Sequence, residues 1–155
     1  MSTLRLCARN GLNMTLAVID LDHFKDINDT FGHPFGDACL RQVATILQTS
    51  FGRDTDTTFR YGGEELIVIG AGGTAAEMIE RLEVFRREIE QSLFALESRQ
   101  STLTISMGVW SGVPAVIDTP ALLLKQADAA LYRAKSGGRN QLVVAEEGVA
   151  AALAK

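Results

Sequence analysis

Tyr61-Gly62-Gly63-Glu64-Glu65-Leu66 is the stretch of this sequence that does most to decide the fold. It joins two short apolar or β-branched runs, residues 57–61 and 66–69, and a Gly-Gly pair between such runs predicts a β-hairpin. A turn does not need two carboxylates, and glycines at its tip remove steric bulk. The stretch therefore indicates a place where a ligand backbone or phosphate comes close and where acids could hold a metal. A solvated, charged turn is the alternative.

The composition describes one globular domain and excludes several classes of protein. The chain has 155 residues, of which 46% are hydrophobic and 22% charged, so it can bury a core. A net charge of −4 argues against a nucleic-acid binder with a broad basic surface, although a nucleotide ligand remains compatible with it. Cys7 and Cys39 match no metal spacing and are predicted to be free thiols.

The sequence contains no apolar run of the ~18 to 20 residues that a membrane span needs. Arg5 and Arg9 interrupt the N-terminal stretch, which therefore does not resemble a secretory signal. We expect a cytoplasmic domain with no membrane attachment in this segment.

Periodicity along the chain predicts alternating strands and helices. Residues 14–19 form a buried strand ending at Asp20, and residues 36–50 form a helix with one apolar face. Thr74 and Glu77 form a capping box that opens a long helix. The helix is predicted to turn five residues inward: Ile79, Leu82, Phe85, Ile89 and Leu93.

The second half of the chain continues this alternation. Residues 102–109 alternate apolar and polar positions, which predicts a half-buried strand. Thr119-Pro120 begins a helix that runs to about Lys135 and stops at Gly137-Gly138. Residues 141–144 form a closing strand, and the Ala-rich tail 146–155 is predicted to be a frayed helix or disordered.

The predicted order is β-α-α-β-β-α-β-α-β, in which hairpins give antiparallel pairs and helical connections cross over. The fold class is therefore α+β, a sandwich of helices against a mixed central sheet. A single domain spans residues 1–155, with its core at about 14–145.

Acidic residues end the first strand as well as the hairpin. If the strand that ends in Asp20-Leu21-Asp22 lies beside the strand after the hairpin, Asp20, Glu64 and Glu65 converge on one edge. Carboxylate oxygens gathered in this way suit Mg²⁺, which can activate a hydroxyl and neutralise a leaving pyrophosphate. A solvated strand end and a charged turn are the alternative for each cluster alone.

Four blocks of sequence, in order and from about Leu16 to Val144, resemble the signature blocks of GGDEF domains, the diguanylate cyclases. The hairpin stretch resembles the motif that names the family, in its Glu variant. The blocks are Ile19-Asp20-Leu21-Asp22-His23-Phe24-Lys25-x-x-Asn28-Asp29-x-Phe31-Gly32-His33-x-x-Gly36-Asp37, Arg60-Tyr61-Gly62-Gly63-Glu64-Glu65-Leu66, Thr104-Ile105-Ser106-Met107-Gly108-Val109 and Ala127-Asp128-x-Ala130-Leu131-Tyr132-x-Ala134-Lys135-x-x-Gly138-Arg139-Asn140.

The resemblance implies a cyclase-like palm fold that condenses two GTP molecules into cyclic di-GMP and releases pyrophosphate. Each subunit of a homodimer would hold one GTP, with Mg²⁺ or Mn²⁺ as cofactor. Asp20, the Leu21 carbonyl and Glu64 would bind the metal, supported by Glu65. Glu64 would also accept the proton of the attacking 3′-hydroxyl, and Lys25 would stabilise charge on the phosphate.

The substrate would be held by residues of three further segments. Gly62 and Gly63 would lie against the nucleotide, and Lys135 and Arg139 would hold its β- and γ-phosphates. The N1–H and N2 amine of guanine suit the carboxylate of Asp37, with Asn28 pairing nearby; adenine would leave that carboxylate unpaired. His33 would lie near the substrate, and a histidine that only packs in a turn is its alternative.

Arg53-x-x-Asp56 ends five residues before Gly62, which is the spacing of the family's inhibitory product site. Arginine can pair with phosphate and aspartate can take the guanine edge, while a loop salt bridge would look the same in sequence. The family usually adds an arginine from the helix after the hairpin. Alignment without gaps places Val84 there, with Arg81, Arg86 and Arg87 near but out of phase.

Two departures from the family pattern keep rival functions open. Leu66 replaces a phenylalanine and loses ring volume, and the stretch before the first strand lacks most of the family's first helix. The latter predicts a truncated domain with an upstream sensory or dimerising partner. A non-enzymatic GTP or cyclic di-GMP receptor is the main alternative, and a module regulating an attached phosphodiesterase would need sequence beyond Lys155. A palm-type polymerase would need a basic template groove that this composition lacks.

Overall fold

In the computed structural model the described residues are Ser2–Glu146, and they form an α+β sandwich around one mixed sheet. The elements, in chain order, are α1 Thr3–Asn10, β1 Met14–Leu21, α2 Phe24–Phe31, α3 His33–Ser50, β2 Asp56–Arg60, β3 Glu65–Ala71, α4 Ala75–Gln91, β4 Phe94–Leu96, β5 Arg99–Ser101, β6 Ile105–Gly112, α5 Pro120–Ser136 and β7 Leu142–Val144. The predicted fold class is confirmed. The predicted tail, residues 146–155, lies outside the described residues except at Glu146.

The central sheet has five strands in the order β2-β3-β1-β6-β7. The pairs β2/β3, β3/β1 and β1/β6 are antiparallel, and β6/β7 is parallel. The strand β1 is therefore central and lies beside β3, which is the arrangement that the convergence of Asp20, Glu64 and Glu65 assumed. The predicted hairpin is β2–β3, with a connection of residues 61–64 closed by the Tyr61 amide donating to the Glu65 carbonyl at 2.9 Å.

Helices cover both faces of the sheet. The side chains of Ala17, Ile19 and Leu66 point into the core formed with α2, α3 and α4. On the opposite face, Leu16 and Ile67 lie in a second core with α1 and α5. Because side chains alternate along a strand, positions 20 and 65 belong to the α5 face and Leu66 belongs to the α3 face.

The capping box of α4 is present, with the Glu77 amide donating to Thr74 Oγ1 at 3.1 Å and the Glu77 carboxylate accepting from the Thr74 amide. Leu82, Phe85 and Ile89 are buried as predicted. Leu93 is 58% exposed, so its predicted inward position is wrong. The helix ends at Gln91, and Leu93 therefore no longer follows the helical period.

The half-buried strand predicted for residues 102–109 is also corrected. The strand β6 begins at Ile105, and Ser106 on its supposedly exposed face is fully buried. The reason is α5, which lies so close that a Cβ on Gly108 would be 2.0 Å from the Ala127 carbonyl oxygen. A short hairpin, β4–β5, precedes this strand and has no counterpart in the sequence prediction.

Candidate active site

Strand pairing brings the two acidic segments together. In the antiparallel pair of β1 and β3, Asp20 lies opposite Glu65, and on its other side Asp20 lies opposite Ser106 of β6. The Leu21 amide donates to the Glu64 carbonyl at 3.4 Å, which places the hairpin connection beside the end of β1. Asp20 is buried, with 4% of its surface exposed, and Glu64 and Glu65 are half-buried. The convergence of these segments on one edge is therefore present.

A cation neutralises the most buried of these acids. Lys135, at the end of α5, forms an ion pair with the Asp20 carboxylate. Burying a carboxylate without a partner is costly, and the ammonium offsets that cost. Across Ser2–Glu146 no three His, Cys, Asp or Glu side chains are grouped in a metal-binding arrangement. The predicted metal ligands are thus neighbours at one edge of the sheet, and Lys135 contacts one of them, Asp20.

Negative charge accumulates around Glu65. Burial raises the pKa of its carboxyl group, and the nearby charges of Asp20 and Asp128 raise this pKa further, while Lys135 lowers it. Burial and the neighbouring carboxylates therefore make the ionised form of Glu65 less stable. A bound divalent cation would relieve that repulsion, so the donor set and its charge fit Mg²⁺.

Asp22 organises the edge rather than contributing a free carboxylate. It is buried and accepts hydrogen bonds from Thr104 Oγ1 at 2.7 Å, Ser106 Oγ at 2.6 Å and the Asn140 amide at 3.0 Å. These contacts tie the end of β1 to β6 and to the turn after α5. The sequence placed Asp22 at the strand end without assigning it this role.

Two predicted guanine-binding residues lie where α2 packs against α3. Asn28 Oδ1 is buried and has no hydrogen-bond partner among the described residues. Gly36 of α3 abuts it so closely that a Cβ would be 1.9 Å from this oxygen. Asp37, which follows Gly36, is exposed and lines a cavity of about 450 Å³ between α3 and the β2–β3 hairpin with Leu40 and Leu66; Asn28 does not line this cavity. A buried acceptor without a donor is costly, and it fits a ligand that brings an N–H group.

The remaining predicted substrate residues are exposed side chains around this edge. Lys25 lies in the first turn of α2, His33 is the first residue of α3, and Arg139 follows the end of α5. Within Ser2–Glu146, the side chains of these three residues form neither a hydrogen bond nor an ion pair.

Arg60 holds the hairpin connection in place, a role that the sequence analysis did not assign. Its Nε donates to the carbonyls of Gly62 and Gly63, both at 3.1 Å, and its Nη2 donates to Gly63 at 2.6 Å. The side chain thereby fixes the conformation of the hairpin connection. An arginine immediately before a Gly-Gly turn was the available signal, since glycine carbonyls in a turn need donors.

The Arg53–Asp56 loop is organised by an arginine that alignment had placed out of phase. Arg81 of α4 donates to both carboxylate oxygens of Asp56, at 2.7 and 3.3 Å, and to the Ser50 carbonyl at 3.2 Å. The Arg81 guanidinium also lies over the ring of Phe51, 4.8 Å from its centroid. Counting residues without gaps pointed to Val84, but the rotation of α4 brings Arg81 to the loop. Arg53, Asp56 and Arg81 line a cavity of about 280 Å³.

Comparison with known proteins assigns the family. The family described as "Diguanylate cyclase, GGDEF domain" matches residues 2–141, and the chain belongs to it. Diguanylate cyclase A of Treponema denticola is 36% identical over 133 residues, 86% of this chain and 35% of that protein. Response regulator PleD of Caulobacter vibrioides is 40% identical over 144 residues, 92% of this chain and 31% of that protein. The chain thus spans about a third of the length of these relatives.

Solved structures share the fold closely. The GGDEF domain of DgcB from Caulobacter crescentus, in complex with c-di-GMP, has a TM-score of 0.86 at 32% identity and covers 94% of this chain and 85% of that chain. The active GGEEF domain of a diguanylate cyclase from Vibrio cholerae has a TM-score of 0.82 at 28% identity, covering 94% and 93%. Within Ser2–Glu146, none of the helices combines the length and apolar composition needed to cross a bilayer.

Proposed function

We propose that this domain is a diguanylate cyclase that joins two GTP molecules into cyclic di-GMP. The proposal is carried by the buried Asn28 Oδ1, which packs against Gly36, the residue before Asp37, and has no hydrogen-bond partner among the described residues. The acidic edge formed by Asp20 and Glu65 supplies the second part of the site. Guanine brings adjacent N–H donors on its N1 and N2, which fit the Asp37 carboxylate and the Asn28 oxygen. Adenine has no such adjacent pair of donors, because its N1 is an acceptor, so at least one of the two acceptors would remain unpaired.

The reaction consists of two equivalent displacements. In each, the 3′-oxygen of one nucleotide attacks the α-phosphorus of the other, a new P–O bond forms, and the bond to pyrophosphate breaks. Glu64 accepts the proton of the 3′-hydroxyl. Lys25 lies at the start of α2 and stabilises the developing charge on the phosphate. The two glycines of the hairpin, Gly62 and Gly63, let the nucleotide approach the backbone.

The phosphates are held at the end of α5. Lys135 would exchange the Asp20 carboxylate for the nucleotide phosphates, and Arg139 supplies a second, exposed cation next to it. Asp20, the Leu21 carbonyl, Glu64 and Glu65 would hold Mg²⁺ or Mn²⁺. When bound, that ion would lower the charge repulsion between nucleotide and enzyme and polarise the reacting phosphate. His33, exposed at the start of α3, would lie near the nucleotide.

Catalysis requires two copies of the chain. One half-site holds one nucleotide, and each nucleotide supplies both an attacking 3′-oxygen and an α-phosphate. A homodimer in which two half-sites face each other satisfies both displacements. The chain spans about a third of its relatives, so an upstream sensory or dimerising domain would control this encounter. A cytoplasmic location would give access to GTP.

The test is product formation from GTP and Mg²⁺, measured by chromatography. We expect wild type to make cyclic di-GMP slowly, and Glu64→Gln to bind GTP without turnover. Glu88→Gln is the matched control, because Glu88 is an exposed acid on α4 and makes the same change of charge. A wild-type domain that makes no product even when fused to a dimerising module would rule out the enzyme.

A receptor for cyclic di-GMP is the second candidate function, and the Arg53–Asp56 loop favours it. Arg81 provides a second arginine beside this loop, as product recognition would need. Arg53 and Arg81 line the same cavity. Asp56 would have to release part of its bidentate contact with Arg81 to accept guanine donors. Titration of cyclic di-GMP against Arg53→Ala tests this site. Unchanged affinity would mean that the product binds elsewhere, with the residues Asn28 and Asp37 as the next site to test.

A further inference from the structure

The turn that carries Arg139 has an unusual backbone. Arg139 and Asn140 have φ angles of 63° and 46°, the left-handed region that L-residues other than glycine rarely adopt. Two consecutive residues in this region need contacts that hold them there. The Arg139 amide donates to the Ala134 carbonyl at 3.0 Å, which anchors only the start of the turn to α5.

The end of the turn is held by Gln141, whose side-chain amide donates to the Ala134 carbonyl at 2.9 Å. Its middle is held by Asn140, whose side-chain contacts come from α4. Arg86 donates from Nη1 to Asn140 Oδ1 at 2.9 Å, and the Asn140 side-chain amide donates to Glu90. The Asn140 backbone amide donates to Asp22. Arg86 is itself fixed, because it donates to Glu83 at 3.2 and 3.3 Å and to Glu90 at 3.1 Å. Its side chain is only 15% exposed.

The neighbouring arginine, Arg87, does not make a contact of this kind with another part of the chain within Ser2–Glu146. Arg87 is 48% exposed and, among the described residues, pairs only with Glu80 and Glu83 of its own helix. Arg86 instead leaves α4 and reaches a turn 54 residues further along the chain. A surface ion pair within one helix would not require that connection.

We propose that Arg86 is a positioning residue for the nucleotide phosphates. It holds Asn140, and thereby the left-handed turn that directs Arg139 toward the substrate. The proposal rests on the proposed function, because it assumes that Arg139 contacts the β- and γ-phosphates. Arg86 does not touch the nucleotide itself. A purely structural Arg86, which only fastens α4 to the start of β7, is the competing explanation.

The test compares two guanine nucleotides, one with three phosphates and one with a single phosphate. Binding of 3′-deoxy-GTP, which lacks the attacking hydroxyl, and of GMP is measured by calorimetry in the presence of Mg²⁺. Arg86→Gln is expected to weaken 3′-deoxy-GTP by roughly tenfold, the size expected when a charge-assisted hydrogen bond is lost, and to leave GMP unchanged. Arg87→Gln removes the same charge from the same helix and should alter neither ligand.

Coupling to Arg139 separates positioning from general stability. In an Arg139→Ala background, Arg86→Gln should have no further effect on 3′-deoxy-GTP, because the group through which it acts is gone. Asn140→Gly is the second variant: glycine accepts the left-handed backbone, but the side-chain contacts with Arg86 and Glu90 are lost. It should show the same selective loss of affinity for 3′-deoxy-GTP, and it keeps the test possible if Arg86→Gln fails to fold.

The possible outcomes distinguish failure of the positioning role from failure of the proposed function. Equal weakening of both ligands, or an additional loss of affinity in the Arg139→Ala background, overturns the positioning role while the proposed function stands. Retention of the full preference for 3′-deoxy-GTP by Arg86→Gln and Asn140→Gly overturns it as well. A wild-type protein that binds 3′-deoxy-GTP no better than GMP would instead refute the assignment of Arg139, and with it both proposals.

Discussion

Replacing Arg81 by methionine is expected to destabilise the domain by about 3 kcal/mol. The Asp56 side chain is only 2% exposed and Arg81 is 21% exposed, so their ion pair is largely withdrawn from water. Removing one partner of a buried pair typically costs about 3–5 kcal/mol, because the other charge is left without compensation. We take the lower end because water still reaches Arg81. After the substitution Asp56 retains the Arg53 amide, which donates at 3.2 Å.

Other lost contacts contribute to this value. Arg81 also donates to the Ser50 carbonyl and lies over Phe51, and a cation–π contact at a partly exposed site is worth about 0.5–1 kcal/mol. Methionine keeps part of the apolar packing against Phe51, which is why alanine would be a poorer probe. For a domain of this size, about 3 kcal/mol corresponds to a melting temperature lower by about 10 °C.

The assay is urea unfolding of wild type, Arg81→Met, Asp56→Ala and the double variant at neutral pH. If the pair is the main cause, the double variant should be less destabilised than the sum of the singles by about 2 kcal/mol. Arg87→Met is the control, since it removes an exposed arginine from the same helix and should change stability by less than about 0.5 kcal/mol. A coupling energy below about 0.5 kcal/mol would refute the reasoning.

Three further substitutions probe the packing and charge of the site. Gly108→Ala should lower the unfolding free energy by about 2–4 kcal/mol in urea, because its Cβ would lie 2.0 Å from the Ala127 carbonyl; near-wild-type stability would contradict this close packing. Glu65→Gln should raise the melting temperature of metal-free protein at neutral pH, because folding raises the pKa of this carboxyl and makes its ionised form unfavourable. That gain should disappear as the pH falls below the unfolded pKa, where both states are protonated; a gain that grows in acid would be inconsistent with the raised pKa. Leu66→Phe should stabilise by up to about 1 kcal/mol in urea by filling the adjacent cavity, whereas a clear loss would mean that the cavity cannot accept the ring.

Local patterns predicted the elements that depend on local physics. The hairpin at Gly62-Gly63 and the capping box at Thr74 follow from backbone and hydrogen-bond preferences within a few residues. Burial of the strand that ends at Asp20 follows from its uninterrupted apolar run. The confirmed neighbourhood of Asp20 and Glu65 needed one further assumption, that this strand is central.

Features that depend on tertiary packing escaped the sequence. The alternation around Ser106 predicted one exposed face, but α5 covers it, and only the backbone approach at Gly108 reveals this. Leu93 continued a helical period beyond the end of its helix. Arg81 could not be assigned to Asp56 by counting residues, since the rotation of α4 about its axis is set by how its buried face packs. The ion pair of Lys135 with Asp20 likewise joins residues 115 positions apart.

The effect of Leu66 can now be separated from the position of the acids. Leu66 is 2% exposed, faces the α3 side of the sheet and pairs in register with Ile19. Glu65 faces the other side and is fixed opposite Asp20 by the same ladder of hydrogen bonds, while Arg60 holds the connection before it. Moving Glu65 would require the register to slip, which would also reverse the faces of every neighbouring side chain. The smaller side chain of Leu66 therefore leaves the cavity next to α3 less well filled. The acidic edge keeps its alignment, because the backbone pairing of β1 with β3 determines the position of Glu65.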